Sequence, residues 1–252
     1  MTEDLPPPIP AATLVLMRER GEGPPELLMM ERTGTMVFAA GALVFPGGRV
    51  DEDDRRVAER LGQGSKASAK VAAIRETIEE TGIAPALLSP PSPATATSLR
   101  VALEAGEPFS QLIACHGLAL DLDALVPFSR WCPNFRETRR FDTAFFLAQA
   151  PEGAGEPEVA PGEGERAFWA SAVDVLAEIE AGRARAIFPT RRNLERLARF
   201  SSFAEARADA LAHPVRTITP WVEQRNGGSF LCIPDDAGYP VTSEPLETAK
   251  RF

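Results

Sequence analysis

Two spacings of apolar positions recur along this chain, and each assigns a type of element. Residues 11–17, with Leu14, Val15, Leu16 and Met17, form a near-continuous apolar run, and so do Leu27, Leu28, Met29 and Met30. Gly21, Gly23, Pro24 and Pro25 lie between them, which predicts a strand at 11–17 and a hairpin partner at 26–31. Ala42, Leu43, Val44 and Phe45 read as a short buried strand that Pro46, Gly47 and Gly48 bring to a stop. Further on, the spacing changes to that of a helix. Val71, Ile74 and Ile78 fall on one side, and Gly82 supplies a C-terminal stop. On the opposite side stand Glu76, Glu79 and Glu80, at i, i+3 and i+4, with Glu76 and Glu80 about 6 Å apart along the axis.

The remaining elements are read in the same way. Residues 84–108 shift toward Pro, Ser, Thr and Ala, with a loop at 90–93 and short helices at 98–105 and 108–116. A strand begins at 128–131, and 139–147 reads as a central strand that opens on Arg139 and Arg140. Residues 151–164 are a Gly/Pro/Glu-rich loop carrying Glu163, and Glu165 follows beside a strand that ends at Trp169. Ser171 is placed to cap a helix running through Ile179, with Asp174 three residues on. Pro189 and Thr190 open a second helix over roughly 191–211, with Leu194, Leu197 and Phe200 on its apolar side. Residues 217–223 and 229–233 suggest a terminal hairpin turned by Asn226, Gly227 and Gly228.

Composition narrows the function. With 252 residues, 44% hydrophobic and 25% charged, the chain has the make-up of a soluble globular protein with an ample core. Residues 1–10, with Pro6, Pro7 and Pro8, read as a flexible leader, and 11–252 as one domain. A net charge of −9 argues against nucleic-acid binding, which needs clusters of Lys and Arg. The same charge would repel an anionic substrate unless bound metal ions invert the local field. The three cysteines, Cys115, Cys132 and Cys232, lack the spacing of a disulfide framework or a zinc site. The leader is acidic and Pro-rich rather than a signal peptide, and no apolar run is long enough to span a membrane, so a cytoplasmic protein with reduced thiols is expected. Cys115 and His116 are helix neighbours that do not face each other, and Gly162-Glu163-Gly164 lacks the Gly-Lys-Ser/Thr of a phosphate loop.

The glutamate stripe has two readings. On a solvated helix face, like charges at i,i+4 cost only about 0.2–0.5 kcal/mol per pair and are tolerated. Alternatively, the stripe is a site for hard divalent cations such as Mg²⁺, which take a few carboxylate oxygens and leave other positions to water and substrate phosphate. The glycine pair at the end of the preceding strand favours the second reading, because it lets backbone groups approach a ligand closely.

These residues resemble the Nudix hydrolases, whose box reads G-x5-E-x7-R-E-U-x-E-E-x-G-U with U aliphatic. Gly48 matches the first glycine, and Arg75, Glu76, Ile78, Glu79, Glu80, Gly82 and Ile83 match the second half, with Thr77 at the first aliphatic position. Asp54 stands at the box glutamate, but residues 55–74 separate it from Arg75 where the box has seven, so thirteen residues are inserted. With both half-boxes intact, the insertion at about 55–69 is expected to be a loop or helix extension, and residues 54–69, Asp54 included, to lie outside the catalytic core. The run from Gly41 through Phe45, Pro46, Gly47 and Gly48 to Asp51 resembles that of the coenzyme A diphosphatase branch, although Val37 stands where that branch often carries a basic residue. Trp131, Pro133 and the run Arg139-Arg140-Phe141-Asp142-Thr143 with Phe145 and Phe146 resemble the longer, peroxisomal-type members, which also carry an extended box.

The resemblance implies an α/β fold: an α-β-α sandwich around a mixed sheet, with a helical insertion at 84–127 and a C-terminal helix and hairpin. It implies metal-dependent cleavage of the diphosphate of a nucleoside diphosphate linked to another moiety, with coenzyme A or acyl-coenzyme A as the expected substrate. An ADP-ribose or NADH diphosphatase and a non-catalytic nucleotide-sensing module are the alternatives. The implied ligands of Mg²⁺ or Mn²⁺ are Glu76, Glu79, Glu80 and the Gly47 carbonyl. Arg75 braces the glutamates, Glu79, Glu163 or Glu165 serves the chemistry, and Arg32, Gly48, Arg139 and Arg140 face the substrate. No nucleic-acid or membrane partner is implied, and a homodimer is compatible.

Overall fold

Strand β1 (Ile9–Arg18) is apolar on both sides because both of its faces are covered. Ala12, Leu14 and Leu16 join one apolar layer, whereas Val15 and Met17 join the other. The computed structural model describes residues 6–21, 23–33, 41–134, 140–159 and 164–249. β2 (Glu26–Glu31) meets β1 antiparallel only at Met17↔Leu27 and Arg18↔Glu26. Beyond that point the two strands splay, and the chain between Leu43 and Arg49 fills the gap in two pieces. β3 (Leu43–Val44) pairs with β2, and β4 (Gly47–Arg49) pairs with β1 through Thr13↔Gly47, Ala12↔Gly48 and Ala11↔Arg49. A Cβ on Gly47 would run into the Ala12 carbonyl, so this close pairing requires glycine there. Gly47 and Gly48 therefore do more than stop the preceding strand, since they build an edge of their own.

Helices α1 (Glu52–Arg60) and α2 (Gly64–Thr81) follow, then α3 (Pro93–Glu104) and α4 (Phe109–His116). All four pack on one face of the sheet. Val71, Ile74 and Ile78 of α2 are fully buried, each contributing roughly 1.5–3 kcal/mol of apolar transfer. β5 (Val126–Trp131) pairs antiparallel with β6 (Phe141–Gln149), which runs parallel to β1 from Ile9↔Phe141 to Met17↔Gln149. β7 (Arg166–Ser171) lies on the far side of β2 from β1. The result is a mixed central sheet with β6 and β1 inside it, as expected for 139–147. The second face is covered by α5 (Ala172–Glu180), α6 (Phe188–Leu197) and α7 (Phe203–Ala212), whose Val175, Leu194, Leu197 and Ala206 pack on Val15, Met17, Phe145 and Leu147. Ser171 caps α5 as anticipated, its Oγ accepting the Asp174 N–H at 3.1 Å.

β8 (Thr217–Ile218) adds to the sheet edge, parallel to β5. β9 (Trp221–Arg225), β10 (Gly228–Cys232) and β11 (Ser243–Pro245) form a separate three-stranded sheet, and α8 (Leu246–Ala249) closes the described chain.

Four expectations are corrected. β1 starts at Ile9, inside the stretch read as leader. The box insertion forms helix α1 and the first turns of α2, one of the two forms expected, but it does not stand clear of the core, since α1 buries Asp54, Val57 and Ala58. The helix read as 191–211 is two helices, because Ser202 takes up extended backbone and its side chain accepts the Glu205 N–H to start α7. Residues 217–223 divide between two sheets around Pro220, which has no N–H to donate to a ladder. The loop positions Met36, Val37 and Phe38 lie outside the described residues.

Candidate functional site

Burying Val71, Ile74 and Ile78 turns the opposite side of α2 toward the β1–β4 edge. Thr77, at a position where an aliphatic residue was expected, is fully buried, and its Oγ1 donates to the Ala73 carbonyl at 2.7 Å. That back-bond satisfies the hydroxyl within the helix and explains why threonine is tolerated.

Arg75 is the hub of the site, 7% exposed. Its Nε and Nη2 donate to the two carboxylate oxygens of Asp54, each at 3.0 Å, in a bidentate pair. Nη2 also donates to the Arg49 carbonyl at 3.0 Å and lies 3.0 Å from Glu76 Oε1, while Nη1 donates to Glu79 Oε2 at 3.0 Å. Glu80 turns the other way, its Oε2 accepting the Gly47 N–H at 2.8 Å. A Cβ on Gly48 would collide with the Glu76 carboxylate, so the second glycine is the space that this side chain occupies. α2, α1 and β4 thus converge on one point through Arg75.

The electrostatics follow from three acids, Asp54, Glu76 and Glu79, gathered around one guanidinium. Burial pushes the Glu76 carboxyl up to about 7, with Arg75 opposing and the Glu79 charge adding. Burial also raises Asp54, against the pull of its Arg75 bonds. Burial alone would depress Arg75, but the Asp54 hydrogen bonds and the Glu76 and Glu79 charges outweigh it, so the guanidinium stays cationic. The negative charge left over is what a cation would neutralise.

The donor set suits hard divalent ions, being carboxylate oxygens, and among the described residues neither imidazole nor thiolate joins them. Among the described residues no three carboxylate, imidazole or thiol groups stand ready to hold an ion as they are. Arg75 draws Glu76 and Glu79 to itself, and Glu80 is held by the Gly47 amide.

The other candidates are more dispersed. Arg32 follows β2, with its N–H donating to the Ala42 carbonyl at 3.1 Å, and Arg140 precedes β6, its carbonyl accepting from Ile9 at 2.8 Å. Each has a buried Nε without a hydrogen-bond partner among the described residues. Arg140 stands at the end of β1 where β4 pairs. Glu165 donates its N–H to the Glu31 carbonyl at 2.8 Å, next to the Arg166–Glu31 ion pair of 2.7 Å, which puts it on the β2–β7 edge. Arg139 and Glu163 lie outside the described residues.

Asp54 is the residue that sequence reasoning set aside: it was expected outside the core, yet its side chain is fully buried against Arg75. Two signals pointed to it. It stands at the box glutamate, and Glu52, Asp53 and Asp54 make an acidic first turn after a capping Asp51.

Comparison with known proteins matches residues 7–102 to the NUDIX domain family. Among solved structures, the chain is similar to a NUDIX hydrolase from Alicyclobacillus acidocaldarius at 30% identity, covering 82% of this chain and 97% of that one with a TM-score of 0.70. The NUDIX domain of NrtR from Shewanella oneidensis, complexed with ADP ribose, matches at 14% identity over 77% of this chain and 88% of its own, with a TM-score of 0.45. A MutT protein from Methanosarcina mazei Go1 matches at 18% identity, with 77% and 94% covered and a TM-score of 0.42.

Proposed function

The chain belongs to the Nudix hydrolase family, and from that premise we propose that it cleaves the diphosphate of coenzyme A or an acyl derivative, giving 3′,5′-ADP and the phosphopantetheine part. The observation that carries the hydrolytic part is the arrangement of Glu76, Glu79 and Glu80 around Arg75 and the Gly47 amide. These carboxylates and the Gly47 carbonyl are the groups that would hold Mg²⁺ or Mn²⁺. Such ions, when bound, neutralise diphosphate charge and lower the pKa of water. Arg75 keeps Glu76 and Glu79 apart and oriented, and Asp54 keeps Arg75 in place. Gly47 lets β4 pair closely with β1, and Gly48 leaves the space in which the Glu76 carboxylate lies. The α2 carboxylates are assigned to the metal ions, so water is the attacking group at phosphorus, with Glu79 or Glu165 as the candidate base.

Arg32 and Arg140 support the substrate assignment, since coenzyme A carries a 3′-phosphate that NADH and ADP-ribose lack. A buried guanidinium Nε with no partner is costly unless something accepts from it, and a phosphate does so bidentately. The run from Gly41 to Asp51 and the one from Arg140 to Phe146 support the same branch.

The experiment compares kcat/KM for coenzyme A, dephospho-coenzyme A, NADH and ADP-ribose with Mg²⁺ and with Mn²⁺. Coenzyme A should lead, and should exceed dephospho-coenzyme A. Equality of those two removes the role given to the arginines, and a lead for NADH or ADP-ribose removes the coenzyme A assignment. Tight binding of a diphosphate without turnover under either ion favours a sensing module.

A further inference from the structure

Two consecutive carboxylates in the first turn of α1 reach in different directions. Asp54 points back to Arg75, accepting from its Nε and Nη2 at 3.0 Å and from the Asp51 N–H at 2.8 Å. Asp53 points outward to the start of α4, where its Oδ2 accepts the Ser110 N–H at 2.8 Å and its Oδ1 the Ser110 hydroxyl at 2.7 Å. Asp53 therefore acts as a cap supplied by another helix. It satisfies one of the amides that α4 cannot pair internally, and its charge lies at the positive end of that helix. α4 has no side-chain cap of its own, because its N-cap position is Pro108. α4 is in turn anchored in the apolar layer by Phe109 and Leu112, which are 1% and 4% exposed.

Further along α1, Val57 and Ala58 seat the helix on α2. The first turn, where Asp53 and Asp54 sit, carries no buried apolar side chain. Among the described residues, polar contacts hold it, chief among them the Asp51–Asp54 capping box, the Arg75 pair and the Asp53–Ser110 pair.

We propose that Asp53 is a positioning residue for the reaction: through Ser110, the helical segment at 84–127 fixes the first turn of α1, and that turn fixes Arg75 against Glu76 and Glu79. The two insertions are then one brace behind the catalytic face. This rests on the hydrolase reading above. A small displacement of a catalytic constellation slows turnover without weakening binding in proportion, so the effect belongs in kcat.

The test uses the full chain and the best substrate of the panel, at a temperature well below unfolding. Asp53→Ala should lower kcat about tenfold with KM within about twofold of wild type. Asp53→Asn, which can still accept the Ser110 N–H and donate to its hydroxyl, should recover most of the rate. In an Arg75→Lys background, Asp53→Ala should change kcat little further, since the two act through one contact. A folded Asp53→Ala protein with wild-type kcat overturns the proposal, as does an effect that multiplies in full with Arg75→Lys. A second readout is independent of turnover. The Arg75 Nε–H proton, buried against Asp54, should exchange slowly by NMR in wild type and markedly faster in Asp53→Ala. If Asp53→Ala does not fold, Ser110→Ala, which removes only the hydroxyl bond, should show the same acceleration to a smaller degree. Should wild type cleave no diphosphate, the hydrolase reading falls, while unchanged exchange in these variants refutes the brace itself.

Discussion

Glu76 shows most directly what the site costs the fold. Burial raises its carboxyl from 4.5 to about 7, so folding the metal-free chain takes up a proton in that interval. The folded state binds more protons than the unfolded one, so this group's contribution is full below the unfolded value and is lost as pH rises through the folded value. Asp54, also raised, acts in the same direction. Metal-free protein should accordingly melt higher at about pH 5.5 than at about pH 8, by up to a few kcal/mol of stability, and Glu76→Gln should flatten that difference. A wild-type profile as flat as that of the variant contradicts the assignment. Gly48 gives a second prediction at this scale. The methyl of Gly48→Ala must displace the Glu76 carboxylate, so activity should fall about a hundredfold while the melting temperature moves little. Activity within twofold of wild type would show that Glu76 adapts freely. Both residues were readable in the sequence, because short-range spacing placed them. What spacing left out was burial of charge: hydrophobic periodicity assigns no core place to Arg192 or Arg196, yet each is 1% exposed, held by Glu195 and Glu244 or by Asp209.

Among the elements, legibility depended on how local the determining contacts are. α2, with its apolar stripe and Gly82 stop, was legible, as were α5 with its Ser171 cap and the β1–β2 hairpin. The pairing of β4 with β1 was not, because it is fixed by the distant partners Thr13, Ala12 and Ala11. α1 was left open between loop and helix extension because its first turn is almost wholly charged and only Val57 and Ala58 give it an apolar side. The consequence reverses an expectation. Removing thirteen residues, 55–67, would restore the ordinary box length but delete Val57 and Ala58 and release Asp54 from Arg75. The shortened chain should lose several degrees of melting temperature and nearly all turnover, as calorimetry and a rate assay would show. A stable, fully active deletion would return α1 to the status of a spacer.

For the whole molecule, the sheet separates two tasks. Its α1–α4 face carries the carboxylates and their brace, while the α5–α7 face and the C-terminal strands are tied together by buried contacts such as Tyr239 to Asn193 at 2.7 Å and Trp131 to Tyr239 at 3.2 Å. The sandwich itself was foreseeable from the box resemblance. The place of the C-terminal strands was not, since their attachment runs through Tyr239 and Glu244, which no pattern singles out. No helix among the described residues is long and apolar enough to cross a membrane. The central claim is that the α2 carboxylates make this chain a metal-dependent diphosphatase. The measurement that tests it most directly is the initial rate of diphosphate cleavage against Mg²⁺ concentration, for wild type and for Glu80→Gln. The substitution removes charge with little change in shape and relieves repulsion from Glu76 four residues away, so the fold should be kept or slightly stabilised. Wild type should be inactive in a chelator and rise to saturation with Mg²⁺, and Glu80→Gln should be slower by about a hundredfold or more at an unchanged or higher melting temperature. Turnover that survives the chelator, or a Glu80→Gln rate equal to wild type, would contradict the account.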